Sequence, residues 1–257
     1  MSDRALQDRV IRALADAPYR ASTEWRGRAL ADPELVERYA RFLARHFYYE
    51  RIVHFFKYSR ALARVTGRRP EAVLSQPGFD ALLPTVVLGS RASAQAVAGL
   101  VVDHVAGSET RIPYLADLLR YEEAMMVVEA GPRVWREDPE QAGEKGGRGR
   151  GQAEKVEGTV LLELAYDLPA VLPSLLQPQT SAPECPPRRT QLLVARSPHG
   201  RVAVARGTAA IAAVLELADG KRTLAELAEG AGIEVAEIED TLQGLVDLGA
   251  VRFSTGS

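Results

Sequence analysis

The chain has 257 residues, 46% hydrophobic and 26% charged, with a formal net charge of -2. That length supports one large or two modest domains, each with its own core, and the near-neutral balance excludes an overall electrostatic attraction to nucleic acid or membrane. The single cysteine, Cys185, excludes an internal disulfide and a cysteine-rich metal site.

The opening stretch MSDRALQDRV lacks the apolar core of a signal peptide, and no apolar run reaches membrane-spanning length. The expected compartment is therefore cytoplasmic. Residues 1 to about 135 read as helices. Asp32-Pro33-Glu34 carries a capping side chain, a proline at the first helical position and an acid in the first turn. A long helical stretch follows to about Val65, with one break expected near Phe47–Tyr49. Ser90 opens another helix, which places Ala94, Val97, Ala98, Val101 and Val105 on one face. Tyr114 to Glu129 repeats the pattern with Leu115, Leu118, Leu119 and Met126.

Residues 138–157 (DPEQAGEKGGRGRGQAEKVE) combine glycine and charge with little that could be buried, which predicts a linker or surface loop. A second break, rich in proline, runs through 177–190. Between the two, Thr159 to Tyr166 reads as a strand and Leu168 to Leu176 as a short helix.

Beyond the second break, Gln191–Arg196 and Arg201–Arg206 flank Ser-Pro-His-Gly, a hairpin signal. Three short helices follow. The first carries Ile211, Val214, Leu215 and Ala218. The second begins with a capping box of Thr223 and Glu226. The third carries Val235, Ile238, Leu242 and Leu245 and ends at Gly249, after which Ala250 to Phe253 forms a closing strand. The expected fold is mainly α with a small α+β module: an N-terminal helical bundle, then a C-terminal winged helix-turn-helix of three strands and three helices. The expected division is 1–137 for the helical domain, 138–157 for the linker and 158–257 for the winged module.

Catalytic signatures are missing from the sequence. His46 and His54 stand eight positions apart, which points them in different directions on a helix, and neither His104 nor His199 has a ligand-spaced neighbour. There is no HExxH, GxSxG or glycine-rich phosphate loop. The reading is a protein that is not an enzyme by itself, with no metal or cofactor of its own.

Half of the aromatic residues lie between Tyr39 and Tyr58, and from Arg38 to Arg69 nine basic residues face the lone acid Glu50. Such a segment is an aromatic core seam with a solvated basic face, a protein-partner surface or a nucleic-acid platform. Tyr48, Tyr49, Arg51, Phe55 and Arg60 are the candidates for partner binding. The third C-terminal helix carries Glu234, Glu237, Glu239, Asp240 and Asp247 and no lysine or arginine. Carboxylates in a major groove oppose the cationic contacts on which DNA affinity depends, so this helix is not expected to read DNA. The strand Arg201–Arg206 instead offers an edge on which an extended peptide can add as a further strand. The peptide-binding candidates are Arg201, Val202, Ala203, Val204, Ala205 and Arg206, with Glu234, Ile238, Asp240, Thr241 and Leu245 of the third helix.

The run GRVAVARGTAAIAAVLELADGKRTLAELAEGAG, followed by a helix and GAVRF, resembles the peptide chaperone of pyrroloquinoline quinone biosynthesis and the wider class of precursor-peptide recognition elements. RFLARHFYYERIVHFFKYSRAL, PYLADLLRYEEAM and LAYDLPAVL resemble partner proteins of multinuclear non-haem iron-dependent oxidases that modify ribosomally made peptides. The resemblance implies an accessory subunit that captures a leader peptide with its C-terminal module and docks an oxidase, which holds the iron, with its helical half. It also implies that Thr159–Tyr166 is the first of the module's three strands. The competing expectation is a transcriptional regulator with an N-terminal sensing or dimerisation domain.

Overall fold

The structure, a computed structural model, describes residues 3–27, 32–130 and 152–254. It is mainly α-helical with a small antiparallel β portion, and its contacts divide it into two compact units. One unit comprises Met1–Met126 and Pro169–Glu184, the other Val127–Leu168 and Cys185–Ser257.

In the first unit, α1 (Asp3–Ala15), α2 (Ala17–Ala21) and α3 (Thr23–Arg26) precede the long helix α4 (Pro33–Phe55). The Asp32 side chain accepts from the main-chain N–H groups of Glu34 and Leu35, as its position before Pro33 requires. One face of α4 buries Ala40, Ala44, Tyr48, Ile52 and Phe55, a period that only a continuous helix produces. The break expected near Phe47–Tyr49 is therefore not there; the helix ends at Phe56, and α5 (Lys57–Ala61) and α6 (Ala63–Thr66) continue the chain.

The cause of the break lies 63 residues away in sequence. The buried carboxylate of Glu122 accepts from the amides of Tyr58 at 2.7 Å and Ser59 at 3.2 Å, satisfying donors at the start of α5. A 3-10 turn (Pro70–Ser75), α7 (Pro77–Leu82), α8 (Arg91–Ala106) and α9 (Leu115–Glu129) follow. Ser90 caps α8 through the Ser93 amide, and all five apolar positions expected on its inner face are buried. Tyr48 packs edge-on against Phe79 at 6.2 Å, and Ile52, Phe56, Leu62, Leu118 and Met126 of the same unit are fully enclosed.

In the second unit, β2 (Val160–Leu164), β3 (Thr190–Arg196) and β4 (Val202–Arg206) form an antiparallel sheet in that spatial order. Between β2 and β3 the chain contributes Pro169–Glu184 to the first unit, including nearly all of α10 (Leu168–Val171) and a 3-10 turn (Ser174–Leu176), so the single helix expected over Leu168–Leu176 is two short pieces. Beyond the sheet come α11 (Ala209–Leu217), α12 (Leu224–Ala231), α13 (Val235–Leu248) and β5 (Val251–Ser254). Thr223 and Glu226 form the reciprocal capping box at the start of α12.

Two expectations change here. First, β5 joins no hairpin strand; it pairs in a separate two-stranded sheet with β1 (Gln152–Lys155), a strand not expected from the sequence. Second, the segment read as a linker reaches into this unit. Ala153 and Val156 are buried, and the Lys155 and Val156 amides bond to the Ala218 and Ala250 carbonyls. Two small apolar residues among charges suffice because the ladder supplies the main-chain partners. Residues 138–151 of that expected linker lie outside the described residues.

The core of this unit gathers Ala153, Leu193, Ala195, Val214, Leu215, Leu227, Ile238, Leu242, Leu245 and Val251. At its edge the chain turns at Gly249, with φ of +78°. A Cβ there would lie 2.0 Å from the Arg196 carbonyl oxygen, so the end of α13 meets the end of β3 through a glycine.

Candidate functional site

Among the described residues the hairpin strand β4 has a strand partner on one side only. Its register with β3 pairs Leu193 with Ala205 and Ala195 with Ala203. The flanking bonds Ser197 N–H to Arg201 O and Gly207 N–H to Gln191 O, both 2.8 Å, show which pairs are hydrogen-bonded. By alternation Ala203 and Ala205 turn their main-chain groups toward β3, while Val202, Val204 and Arg206 turn theirs to the open edge. Three N–H and three C=O groups thus form a template for an added strand.

Opposite residues of an antiparallel pair share a face, so Ala203 and Ala205 project on the side where Leu193 and Ala195 enter the core that also takes in Ile238, Leu242 and Leu245 of α13. Their small side chains keep that face shallow at the edge. Val204 is 37% exposed on the other face. Arg206 is exposed but occupied: it donates to Asp167 at 2.9 Å, and Arg188 reaches the second Asp167 oxygen at 3.4 Å. Asp167, almost fully buried, was not among the residues singled out from the sequence, and no local pattern marks it.

Of the five α13 positions expected to face a peptide, Glu234 and Asp240 are exposed and Thr241 is half-buried. Ile238 and Leu245 are 0% and 2% exposed and belong to the core, so they support the site from beneath and cannot touch a ligand. The spacing that marked them as groove residues is the helix's inward face. Its outward face presents Glu237, Glu239, Asp240 and Asp247. Before α12, Asp219 accepts from the amides of Lys221 and Arg222, and the Lys221 bond leads in holding its carboxyl below the ordinary range.

The helical half sorts the remaining candidates differently. Tyr48 and Phe55 are core residues, and burial pushes the Tyr48 hydroxyl up to about 12. Arg51 lies over the Phe47 ring at 3.5 Å, and Arg60 is exposed and pairs with Glu71 at 3.3 Å. Tyr49 alone among the partner-binding aromatics reaches solvent, at 42% exposure. Besides Tyr49, α4 exposes the large apolar residues Leu35, Tyr39 and Phe42, and the signal that marks them is their spacing.

His46 and His54 are exposed, each against a neighbouring ring, and His199 sits in the hairpin turn. His104 meets the Gln76 amide at 3.0 Å through Nδ1, and burial holds its pKa below the ordinary value. Among the described residues no group of three or more His, Cys, Asp or Glu is placed to hold a metal ion, and no helix is long and apolar enough to cross a membrane. No family model matches the chain, and no curated protein matches it.

Proposed function

We propose that the chain is a non-catalytic accessory subunit that captures a ribosomally made precursor peptide and presents it to a multinuclear iron-dependent oxidase. In this reading the second unit is a winged-helix-type recognition module and the helical unit docks the oxidase. The single observation that carries the reading is the open edge of β4, where Val202, Val204 and Arg206 aim their main-chain groups outward. An extended peptide adding there gains main-chain hydrogen bonds, and its alternate side chains fall beside α13.

The acids of α13 favour a peptide with basic or apolar residues at those positions. They also weigh against the regulator reading, since α13 offers a phosphate backbone no cation. The test is recovery of the tagged full-length protein from its native host, with mass spectrometry of what accompanies it. A short precursor peptide and an iron oxidase are the expected companions. Duplex DNA in their place would make the regulator the better account.

A further inference from the structure

The helix α4 has a second apolar face. Leu35, Tyr39, Phe42, His46 and Tyr49 follow one another at spacings of four, three, four and three, the heptad rhythm of a helix-packing seam. A straight helix drifts only about 20° per heptad, so over two heptads the five side chains remain on one stripe about 21 Å long. The structure leaves the stripe open: Leu35 and Tyr39 are each 51% exposed, Phe42 60% and Tyr49 42%. Tyr39, Phe42 and His46 stack in series, with centroids 6.2 and 6.3 Å apart. A surface helix needs one apolar stripe to hold its domain, and α4 already has one in the Tyr48–Ile52 face.

The flank of the stripe is cationic. Arg38, Arg41 and Arg45 line it, and it opens into a cavity of about 880 Å³ where these three with Arg20 and Arg26 outnumber the acids Glu34 and Glu37. Arg41 shares Glu37 with Arg20, and Arg45 is tied to Asp80, whereas Arg26 and Arg38 meet no acid among the described residues. We infer that this face is the docking site for an amphipathic helix of a partner protein, with apolar residues at heptad spacing and an acidic flank. The inference deepens the proposed partner docking, rests on that reading, and moves its centre from Tyr48 and Phe55 to Phe42.

Charge argues for a foreign helix over a second copy. In an antiparallel self-pair the Arg38 and Arg45 flanks would face each other, and in a parallel one only Arg45 finds an acid, Glu50.

The test uses the full-length chain and two synthetic helices of about three heptads, with leucine at the seam positions and either glutamate or lysine on the flanks. The glutamate helix is expected to bind at least about tenfold more tightly than the lysine helix, and to weaken as salt rises. Phe42→Glu and Tyr39→Glu are each expected to weaken it by about tenfold or more with little shift in the melting temperature, because both side chains are more than half exposed and lie off the buried face of α4. Equal binding of the two helices, binding of neither, or binding indifferent to Phe42→Glu overturns the inference. So does a wild-type dimer that Phe42→Glu dissociates, which would make a second copy the occupant. Precursor capture by the same variants separates the two readings: loss of helix binding with capture intact is expected, and loss of capture alone counts against the β4 edge only.

Discussion

Glu122 and Ser59 meet where the long helix of the first unit ends, the carboxylate accepting both the Ser59 amide and the Ser59 hydroxyl. Burial is the larger influence and pushes the Glu122 carboxyl up from 4.5 to about 8, although its donors pull the other way. The folded chain therefore holds this proton more tightly than the unfolded chain. The stabilisation is complete below about pH 4.5 and is lost as pH rises through about 8. Its steepest slope is about 1.4 kcal/mol per pH unit. Glu122→Gln keeps acceptor and donor in place and is expected to flatten that part of the stability profile, as denaturant titrations between pH 5 and pH 8.5 would show.

The edge of β4 permits a test in which neighbouring substitutions have different outcomes. Val204 directs its N–H outward and Ala205 directs its N–H toward β3. Val204→Pro therefore removes an edge donor and blocks strand addition while sparing the ladder, and is expected to weaken precursor capture by about tenfold or more. Ala205→Pro breaks the ladder and is expected to destabilise the unit by about 1–3 kcal/mol, the cost of a carbonyl left without its donor. Thermal melts alongside capture assays separate the two effects.

Gly249 sits where backbone closes on backbone. Its φ of +78° and the 2.0 Å approach of the Arg196 oxygen to any Cβ leave no room for alanine. Gly249→Ala is expected to cost roughly 2–4 kcal/mol, from the left-handed backbone and the displaced strand end together. A denaturant midpoint no lower than the parent's would contradict this packing.

Tyr48 and Tyr49 are adjacent, one enclosed in the core and the other partly exposed. Truncating the buried Tyr48 to alanine, or Phe55 likewise, is expected to cost about 3–5 kcal/mol of stability. Tyr49→Ala, at the surface, is expected to stay within about 0.5 kcal/mol. Chemical denaturation of the three variants checks the assignment.

These contrasts mark what the sequence could carry. Periodicity and caps located α8, α9, the hairpin and α11–α13, because those signals arise within a few residues of one another: Ser90 on Ser93, Thr223 on Glu226. The break at Phe56 was not legible, since Glu122 supplies its cause from a distant helix. Nor was β1, whose one buried residue, Ala153, lies among polar and charged neighbours and whose partner strand is about a hundred residues on. At the candidate site, the edge strand was legible from its turn, but Ile238 and Leu245 were assigned to a ligand when they hold the core. A helix's apolar spacing marks which residues share a face, and only the packed structure shows what that face meets.

The most direct measurement is amide hydrogen exchange on the full-length protein, free and with its captured precursor peptide. The account predicts that the amides of Val202, Val204 and Arg206 exchange readily in the free protein and become protected in the complex. Protection confined to other segments, with β4 exchanging as before, would contradict it.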